Sequence, residues 1–119
     1  MTEISNSKRY DLEERTLTFA RLVNNFVNVL PKTLSNLENG KQLVRSAGSV
    51  GANYIEANES LSKKDFLMRV KISRKEAKES RFWLELTSPR KDNTKNKQQL
   101  IQESTELVKI LSSIIEKSK

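Results

Sequence analysis

The sequence predicts an all-α protein that folds as an antiparallel, up-down-up-down bundle of four helices. Apolar and small residues recur at steps of three and four through four segments, which is the spacing of a helix with one buried face. No segment alternates as a strand does, and the connections between segments are short, which favours antiparallel neighbours. We expect the helices at residues 11–30, 41–59, 63–88 and 97–117, within one domain that spans residues 1–119.

Capping residues and helix breakers set the expected ends of these helices. Asp11 is suited to cap the first helix, and Pro31 ends that helix or lies just past its last turn. Gly40 is expected in a turn before the second helix. Ser62 is a suitable N-cap for the third helix, which stops at Pro89. The polar stretch that follows, PRKDNTKNK, is expected to be a flexible loop before the fourth helix.

The expected core follows from the same three-and-four spacing, helix by helix. Its members are Leu12, Thr16, Phe19, Val23, Phe26 and Leu30; Leu43, Ala47, Val50, Tyr54, Ala57 and Leu61; Phe66, Val70, Ser73, Ala77, Ser80, Leu84 and Thr87; and Leu100, Ser104, Leu107, Leu111 and Ile114, flanked by Ile101, Val108 and Ile115. The third helix therefore presents an unusually large share of small residues to the core.

The second helical segment contains RSAGSVGANYIEANES, whose two glycines raise the question of a phosphate-binding loop. The core spacing runs through Gly48 and Gly51 without a slip, and no strand precedes them as a nucleotide-binding motif requires. The stretch is therefore predicted to be helical. Each glycine costs roughly 1 kcal/mol relative to alanine in a helix. A close approach of another helix would offset that cost, and this helix can belong to the same protomer or to another subunit.

Composition restricts the chemistry that the chain can perform. It contains no cysteine and no histidine, which removes thiolate ligands, disulfides and the commonest general base. We expect no catalytic residue, no metal site and no cofactor. No apolar run approaches the roughly 20 residues of a membrane span, and the N-terminus lacks the apolar region of a signal peptide. We therefore expect a cytoplasmic protein without a membrane partner.

The net charge of +7 is concentrated in the second and last thirds of the chain. Residues 1–40 carry 5 basic and 5 acidic side chains, residues 41–88 carry 10 and 6, and residues 89–119 carry 7 and 4. An excess of this sign fits an anionic partner.

Six cations of the third helix fall on one side of it, at about 100° per residue. This basic stripe consists of Lys64, Lys71, Arg74, Lys75, Lys78 and Arg81. Like charges on one face repel one another, and a nucleic-acid backbone would relieve that repulsion. The alternative is a solvated face with local pairs such as Lys75–Glu79 and Arg81–Glu85. No aromatic residue is expected within the stripe, so it would contact backbone and shape rather than bases.

Two pairs of glutamates, Glu56 with Glu59 and Glu76 with Glu79, lie one turn apart on neighbouring helices. All-α nucleotide pyrophosphatases hold magnesium with similar pairs. Glu56 and Glu59, however, project away from the predicted core side of their helix, which disfavours an enclosed metal site. Salt bridging or a subunit interface would explain these acids as well. Trp83, on the flank of the third helix, suits a cap on the core or an oligomer interface.

Three strings, RSAGSVGANYIEA, SKKDF and KEAKESRFWLEL, together resemble the small bacterial four-helix bundle proteins encoded in intervening sequences of 23S rRNA. That family includes the accessory variability determinant of diversity-generating retroelements. The resemblance covers roughly residues 12–115, with its motif in the middle two helices. The matching positions are Arg45, Ser46, Ser49, Val50, Asn53, Glu56, Ala57, Lys64, Phe66, Glu76, Glu79, Trp83 and Leu84.

The resemblance implies a left-handed bundle that assembles into a homo-oligomeric ring, commonly a pentamer. It also implies that the retroelement relatives bind nucleic acid and a reverse transcriptase through basic surfaces. This chain departs from the family in its long polar loop and in the neutral balance of its first third. A ring would favour a subunit contact as the reason for the two helix glycines.

These observations predict a non-enzymatic, basic, homo-oligomeric protein that binds structured RNA or DNA through phosphate contacts from the basic stripe. The first alternative is an oligomeric scaffold that recruits a protein partner, a nucleic-acid enzyme such as a reverse transcriptase. A less favoured alternative is a magnesium-dependent all-α nucleotide pyrophosphatase. The expected oligomer interface comprises Arg45, Gly48, Gly51, Asn53, Glu56, Ile72, Glu76, Glu79 and Trp83.

Overall fold

The protein consists of four long helices that pack as a bundle. A computed structural model describes residues 2–119, with side chains from Asp11 onward. The helices are α1 (Thr2–Asn28), α2 (Leu34–Asn58), α3 (Lys63–Leu86) and α4 (Thr94–Lys117), with a 3₁₀ turn at Lys91–Asn93. No strand occurs in residues 2–119. The prediction of an all-α bundle of four helices is therefore confirmed.

The helices pack in a closed cycle, and the body measures 47 × 22 × 19 Å. α2 contacts α1 and α3, and α4 contacts α3 and α1. The most extensive contact joins α2 to α3, whereas the least extensive contact joins α1 to α4. None of the helices in the described part of the chain combines the length and the apolar run that a membrane crossing needs.

The predicted core is confirmed in α1 and almost throughout the other helices. Leu61 is the clear error, since it is fully exposed because α2 ends at Asn58, before the core spacing reaches that position. Ile115 takes the last core position of α4 and is 1% exposed, whereas Ile114 packs against the core while partly buried. Phe66 also lies half-buried at the margin.

The starts of α1 and α2 differ from the prediction. α1 already begins at Thr2, so Asp11 lies inside the helix and the prediction that Asp11 caps it was wrong. No proline or glycine occurs before Asp11 to end the helix there. α2 begins at Leu34, because the Thr33 side chain accepts a hydrogen bond from the Asn36 amide at 3.2 Å. Gly40 consequently lies inside α2, and the expected turn there was wrong.

The start of α3 agrees with prediction, and the start of α4 does not. The Ser62 hydroxyl accepts a hydrogen bond from the Asp65 amide at 3.1 Å, which is the cap expected for α3. The stretch expected as a flexible loop forms the 3₁₀ turn instead, and α4 follows at once. Lys97 donates hydrogen bonds to the carbonyls of Thr87 and Glu85 at 2.8 and 3.2 Å, which satisfies free acceptors where α3 ends.

Small polar side chains form the seam between α2 and α3. The Ser73 hydroxyl donates to the Val50 carbonyl at 2.7 Å, and the hydroxyls of Ser80 and Ser46 lie 3.0 Å apart, all of them buried. Residues of this size let two helix backbones approach closely, and each buried hydroxyl has a hydrogen-bond partner. Both requirements explain why the core face of α3 is so rich in serine and alanine.

The two helix glycines have different surroundings. A Cβ placed on Gly51 would lie 2.8 Å from Thr16 Oγ1 and 3.2 Å from Thr16 Cβ, both on α1. Gly51 is buried, and its lack of a side chain is what lets α1 approach α2 at this point. A Cβ placed on Gly48 would meet nothing within 4 Å. Packing within the protomer therefore explains Gly51 but not Gly48.

Alanine substitutions should separate these two surroundings. Gly48→Ala should stabilise the protomer by about 1 kcal/mol, because alanine is the better helix former and its methyl group meets open space. Gly51→Ala should instead destabilise it by about 1–2 kcal/mol, since the clash with Thr16 exceeds the gain in helix propensity. Urea unfolding followed by circular dichroism at low protein concentration measures both changes.

A double variant provides the control for Gly51. Thr16→Ala removes the hydroxyl that the new methyl group would meet, so Gly51→Ala should cost less in the Thr16→Ala background than in the wild type. Equal costs in the two backgrounds would show that contact with Thr16 is not what requires glycine at position 51.

Candidate nucleic-acid interface

Glu76 and Glu79 of α3 lie on a different side of the helix from its basic stripe. Glu76 and Glu79 lie on the flank that faces α2, where both contact Arg45. Arg74 lies on the flank that faces α4, where its Nη1 donates to Ser112 Oγ at 3.3 Å. Lys71 lies three residues before Arg74, and Lys78 and Arg81 lie four and seven residues after it, so these three share its side of the helix. Lys64 and Lys75, the remaining members of the basic stripe, lie further round α3, away from the core. One helix thereby carries two surfaces of opposite character.

Arg45 binds both acids of α3. Its Nη2 lies 3.1 Å from Glu76 Oε1 and 3.4 Å from Glu79 Oε1. The side chain of Glu76 is 9% exposed and that of Arg45 is 50% exposed, so solvent screens the pair in part. Glu79 contacts Arg45 and not Lys75, and Glu85 makes no ion pair with Arg81, so neither local pair of the alternative interpretation is formed. Glu76 and Glu79 are bound away from the stripe, whereas Glu85 lies exposed four residues after Arg81.

The basic stripe is accessible and uncompensated. Arg74 is half-buried, while the other five cations are exposed. Among the side chains of residues 11–119, no ion pair includes any of the six. The pKa of Glu116 on α4 is lowered chiefly because Lys119 donates a hydrogen bond to it at 2.8 Å. The positive charge of Arg74 lowers the same pKa by a smaller amount. Six neighbouring cations without acidic partners form a surface of positive potential.

An aromatic side chain lies within the stripe, which sequence analysis missed. Phe82 follows Lys78 by four residues and Lys75 by seven, so it shares their side of the helix. Its side chain is 57% exposed. The Phe82 ring packs edge-to-face against Trp83, with ring centroids 5.0 Å apart and planes at 78°. The expectation that the stripe lacks aromatics was wrong, because that expectation rested on charged residues alone.

The residues predicted for an oligomer interface fall into three groups by exposure. Gly48, Arg45 and Glu56 lie exposed on the outer side of α2. Gly51 is buried against α1, and Glu76 is buried against Arg45. The remaining members of the prediction, half-buried between these groups, are Asn53, Ile72, Glu79 and Trp83. The structure therefore exposes some predicted interface residues and uses others inside the protomer.

Two of the half-buried residues, Asn53 and Trp83, differ in whether their polar groups have hydrogen-bond partners. Asn53 accepts a hydrogen bond from Arg69 Nη1 at 3.3 Å and donates one to the Ser49 carbonyl at 2.9 Å. The indole nitrogen of Trp83 is buried and lacks a hydrogen-bond partner among the described residues. The Trp83 ring packs against the core, as one of its two predicted roles requires, whereas its N–H lacks the partner that buried tryptophan nitrogens usually have.

The four glutamates do not converge on one point. Glu56 and Glu59 lie exposed on α2, whereas Glu76 and Glu79 are bound by Arg45. No cluster of three or more acidic side chains able to hold a metal ion lies within the described part of the chain.

An ion pair joins α1 and α4, the two neighbouring helices that have the least extensive contact. Arg15 of α1 donates two hydrogen bonds to Glu103 of α4, at 2.7 and 2.9 Å. The hydrogen bonds to Glu103 raise the pKa of Arg15 above its usual value. An open groove runs beside this pair, and the exposed apolar side chains Leu22 and Val29 line it.

Comparison with known proteins relates this geometry to a family. The model of a family described as 23S rRNA-intervening sequence protein matches residues 8–113. A crystal structure of a Bacteroides thetaiotaomicron protein of unknown function from the S23 ribosomal protein family superposes with a TM-score of 0.79 at 31% identity, covering 92% of this chain and 98% of that chain. No match is found among curated proteins. The family match covers nearly the whole bundle, and the chain belongs to the 23S rRNA-intervening sequence protein family.

Proposed function

We propose that the protein is a non-enzymatic, homo-oligomeric bundle that binds structured RNA or DNA through phosphate contacts. The observation that carries this proposal is the basic stripe, whose six cations have no acidic partner among the described side chains. Arg45 binds Glu76 and Glu79 on the flank toward α2, so these two acids do not neutralise the stripe. Phosphates would supply the missing counter-charge.

The dimensions of the stripe suit a phosphate backbone. Lys64 and Arg81, the two ends of the stripe, lie 17 residues apart, which is about 25 Å at roughly 1.5 Å per residue. Nucleotides rise by about 3.4 Å along one strand of a duplex, so the stripe spans roughly seven phosphates. Lysine and arginine bind phosphates at such spacing with little regard for sequence. The expected ligand is therefore recognised by its backbone and shape.

An antiparallel, up-down-up-down arrangement is part of this proposal. Pairs across the α2–α3 seam support it, since Ser46 meets Ser80, Val50 meets Ser73 and Asn53 meets Arg69. The numbers rise along α2 and fall along α3, as they do for neighbours that run in opposite directions.

The proposed oligomer interface is the outer side of α2. Gly48 and Ala52 lie exposed there, and the neighbouring Val44 and Ile55 are 38% and 47% exposed. Small residues between exposed apolar ones form a surface that a helix of another subunit can approach closely. An interface here would offset the cost of Gly48, which nothing in the protomer offsets. We propose a ring, with the five subunits that the family resemblance implies.

A scaffold that recruits a protein partner is the second candidate. The exposed apolar side chains favour it, because they extend beyond the outer side of α2 to Leu17 on α1 and to Met68 and Leu86 on α3. Tight capture of a nucleic-acid enzyme, combined with weak binding of nucleic acid alone, would support this candidate over the first.

Neutralising the stripe should weaken nucleic-acid binding in a salt-dependent way. In the triple variant Lys71→Gln, Lys75→Gln, Lys78→Gln, the negative slope of log K against log salt should become shallower by nearly 3. Each lysine that neutralises a phosphate of a duplex contributes about 0.9 to the steepness of that slope. Fluorescence anisotropy with a labelled RNA duplex at several salt concentrations measures the slope.

A second triple variant keeps the net charge matched. Lys32→Gln, Lys91→Gln, Lys95→Gln removes three exposed lysines outside the stripe, and it should leave the slope nearly unchanged. Equal losses in both variants would mean that net charge, and not the stripe, drives binding, which would contradict the proposal.

Oligomerisation should depend on the outer side of α2. The wild type is expected to have several times the mass of a 13.7 kDa protomer, and Gly48→Leu should lower that mass, because the larger side chain keeps a neighbouring helix away. Light scattering after size exclusion measures it. Leu22→Ala, in the groove between α1 and α4, serves as the control and should keep the wild-type mass. A wild type that is monomeric at micromolar concentration would contradict this part of the proposal.

A further inference from the structure

Phe82 is an exposed aromatic residue that the fold does not require. Its side chain is 57% exposed and does not belong to the core or to the partly buried residues packed against it. Exposing a phenylalanine to water forfeits the free energy that its burial would provide. A polar residue at this position would fit the basic stripe as well in an isolated protomer. The position of Phe82 therefore points to a contact outside the protomer.

The contact of Phe82 with Trp83 leaves part of the Phe82 ring free. The two rings are nearly perpendicular, at 78°. In this arrangement the edge of one ring meets the face of the other, so Trp83 covers at most one face of Phe82. At least one face of Phe82 is open to a flat ligand, while the indole restricts the positions of the ring. A positioned aromatic ring with an open face is the usual platform for a nucleobase.

The charged residues near Phe82 indicate which flat ligand suits this ring. Two lysines precede it on the same side, and the exposed Glu85 follows it by three residues. Lys78 lies one helical turn before Phe82 and Lys75 lies two turns before it, on the same side and both exposed. Neither lysine belongs to an ion pair among the described side chains. A flat group joined to a chain of negative charges is a nucleotide within a strand. Its phosphates would contact the lysines while its base contacts the ring.

We propose that Phe82 stacks on an unpaired base of the nucleic acid that the basic stripe holds. The inference rests on the proposed function, and it adds the class of ligand. Bases inside a duplex are stacked on their neighbours on both faces, so only a base in a loop, a bulge or a single-stranded end can contact Phe82. The preferred ligand is consequently a strand with unpaired nucleotides, and a blunt duplex binds through phosphates alone.

Two ligands with equal numbers of phosphates test this inference. One is a blunt RNA duplex, and the other is a hairpin whose loop presents unpaired bases. The wild type should bind the hairpin more tightly. Phe82→Leu, which keeps an apolar side chain but removes the flat ring, should weaken hairpin binding by about tenfold and leave duplex binding unchanged. Its salt slope should equal that of the wild type, because every cation that binds a phosphate is still present.

Two further variants control for nonspecific effects. Phe82→Tyr keeps a ring and should retain the preference for the hairpin. Leu17→Ala removes an apolar side chain of similar exposure, 49%, on α1, and it should leave both affinities unchanged. Circular dichroism checks that the helix content of each variant matches that of the wild type.

Trp83 supplies a reporter that does not depend on affinity. It is the only tryptophan of the chain, and its ring lies 5.0 Å from that of Phe82. A base stacked on Phe82 should quench the emission of Trp83 at saturating hairpin, and a saturating duplex should quench it less. In Phe82→Leu the difference between the two ligands should disappear.

The outcomes separate this inference from the proposed function. Binding that falls when the stripe is neutralised, but that is equal for hairpin and duplex and insensitive to Phe82→Leu, would overturn the stacking inference and leave phosphate binding in place. Equal losses for both ligands in Phe82→Leu would assign Phe82 a merely structural role and also overturn it. A wild type that binds neither ligand at low salt would overturn both proposals.

Discussion

The close packing of α2 against α3 is the constraint on which the other features of this bundle depend. The two helices meet through serines and alanines, and the buried hydroxyl of Ser73 donates to a backbone carbonyl across the seam. Such close packing places Arg45 of α2 beside Glu76 and Glu79 of α3. Helical spacing places the two acids on the flank toward α2, and the packing supplies Arg45 as their partner there. The acids are thereby bound by a residue of another helix and not by the cations of α3.

The spacing of small and apolar residues was enough to predict the fold. It predicted four helices and nearly all of the buried residues, because burial of one helical face imposes a period that any sequence with this fold must show. The helix ends were less predictable. Thr33 and Asp11 are both acceptable N-caps, and only the packed structure shows that Thr33 serves as a cap while Asp11 lies inside a longer helix. Leu61 fits the core period but lies beyond the end of α2.

The candidate surface was predictable in part. The six cations share one side of α3 by spacing alone, and that side could be identified from the sequence. The flank on which Glu76 and Glu79 lie also follows from spacing, but their partner, Arg45, is 31 residues away from Glu76 in the chain. No local pattern reveals such a pair. Phe82 could have been found from its spacing to Lys78, had aromatic residues been included with the charged ones.

The two glycines show why similar local patterns need different explanations. Gly51 follows Gly48 by three residues within the same continuous helix, yet α1 covers only Gly51. Replacing Gly48 by a better helix former should not disturb the packing within the protomer, and should stabilise it. If Gly48 is nevertheless required, the requirement must come from a second molecule, because the protomer offers nothing within 4 Å of a new side chain there.

The outer side of α2 and the basic stripe of α3 are separate surfaces, and this separation matters for an oligomer. Gly48 lies on α2, whereas the stripe lies on α3, where Arg74 contacts α4. A ring in which the outer side of α2 packs against a surface other than the stripe would leave every copy of the stripe accessible, so a single nucleic acid could contact several copies at once. Each contact after the first is then intramolecular and has a high effective concentration. Modest phosphate contacts, repeated around an assembly, would in this way produce tight but strongly salt-dependent binding.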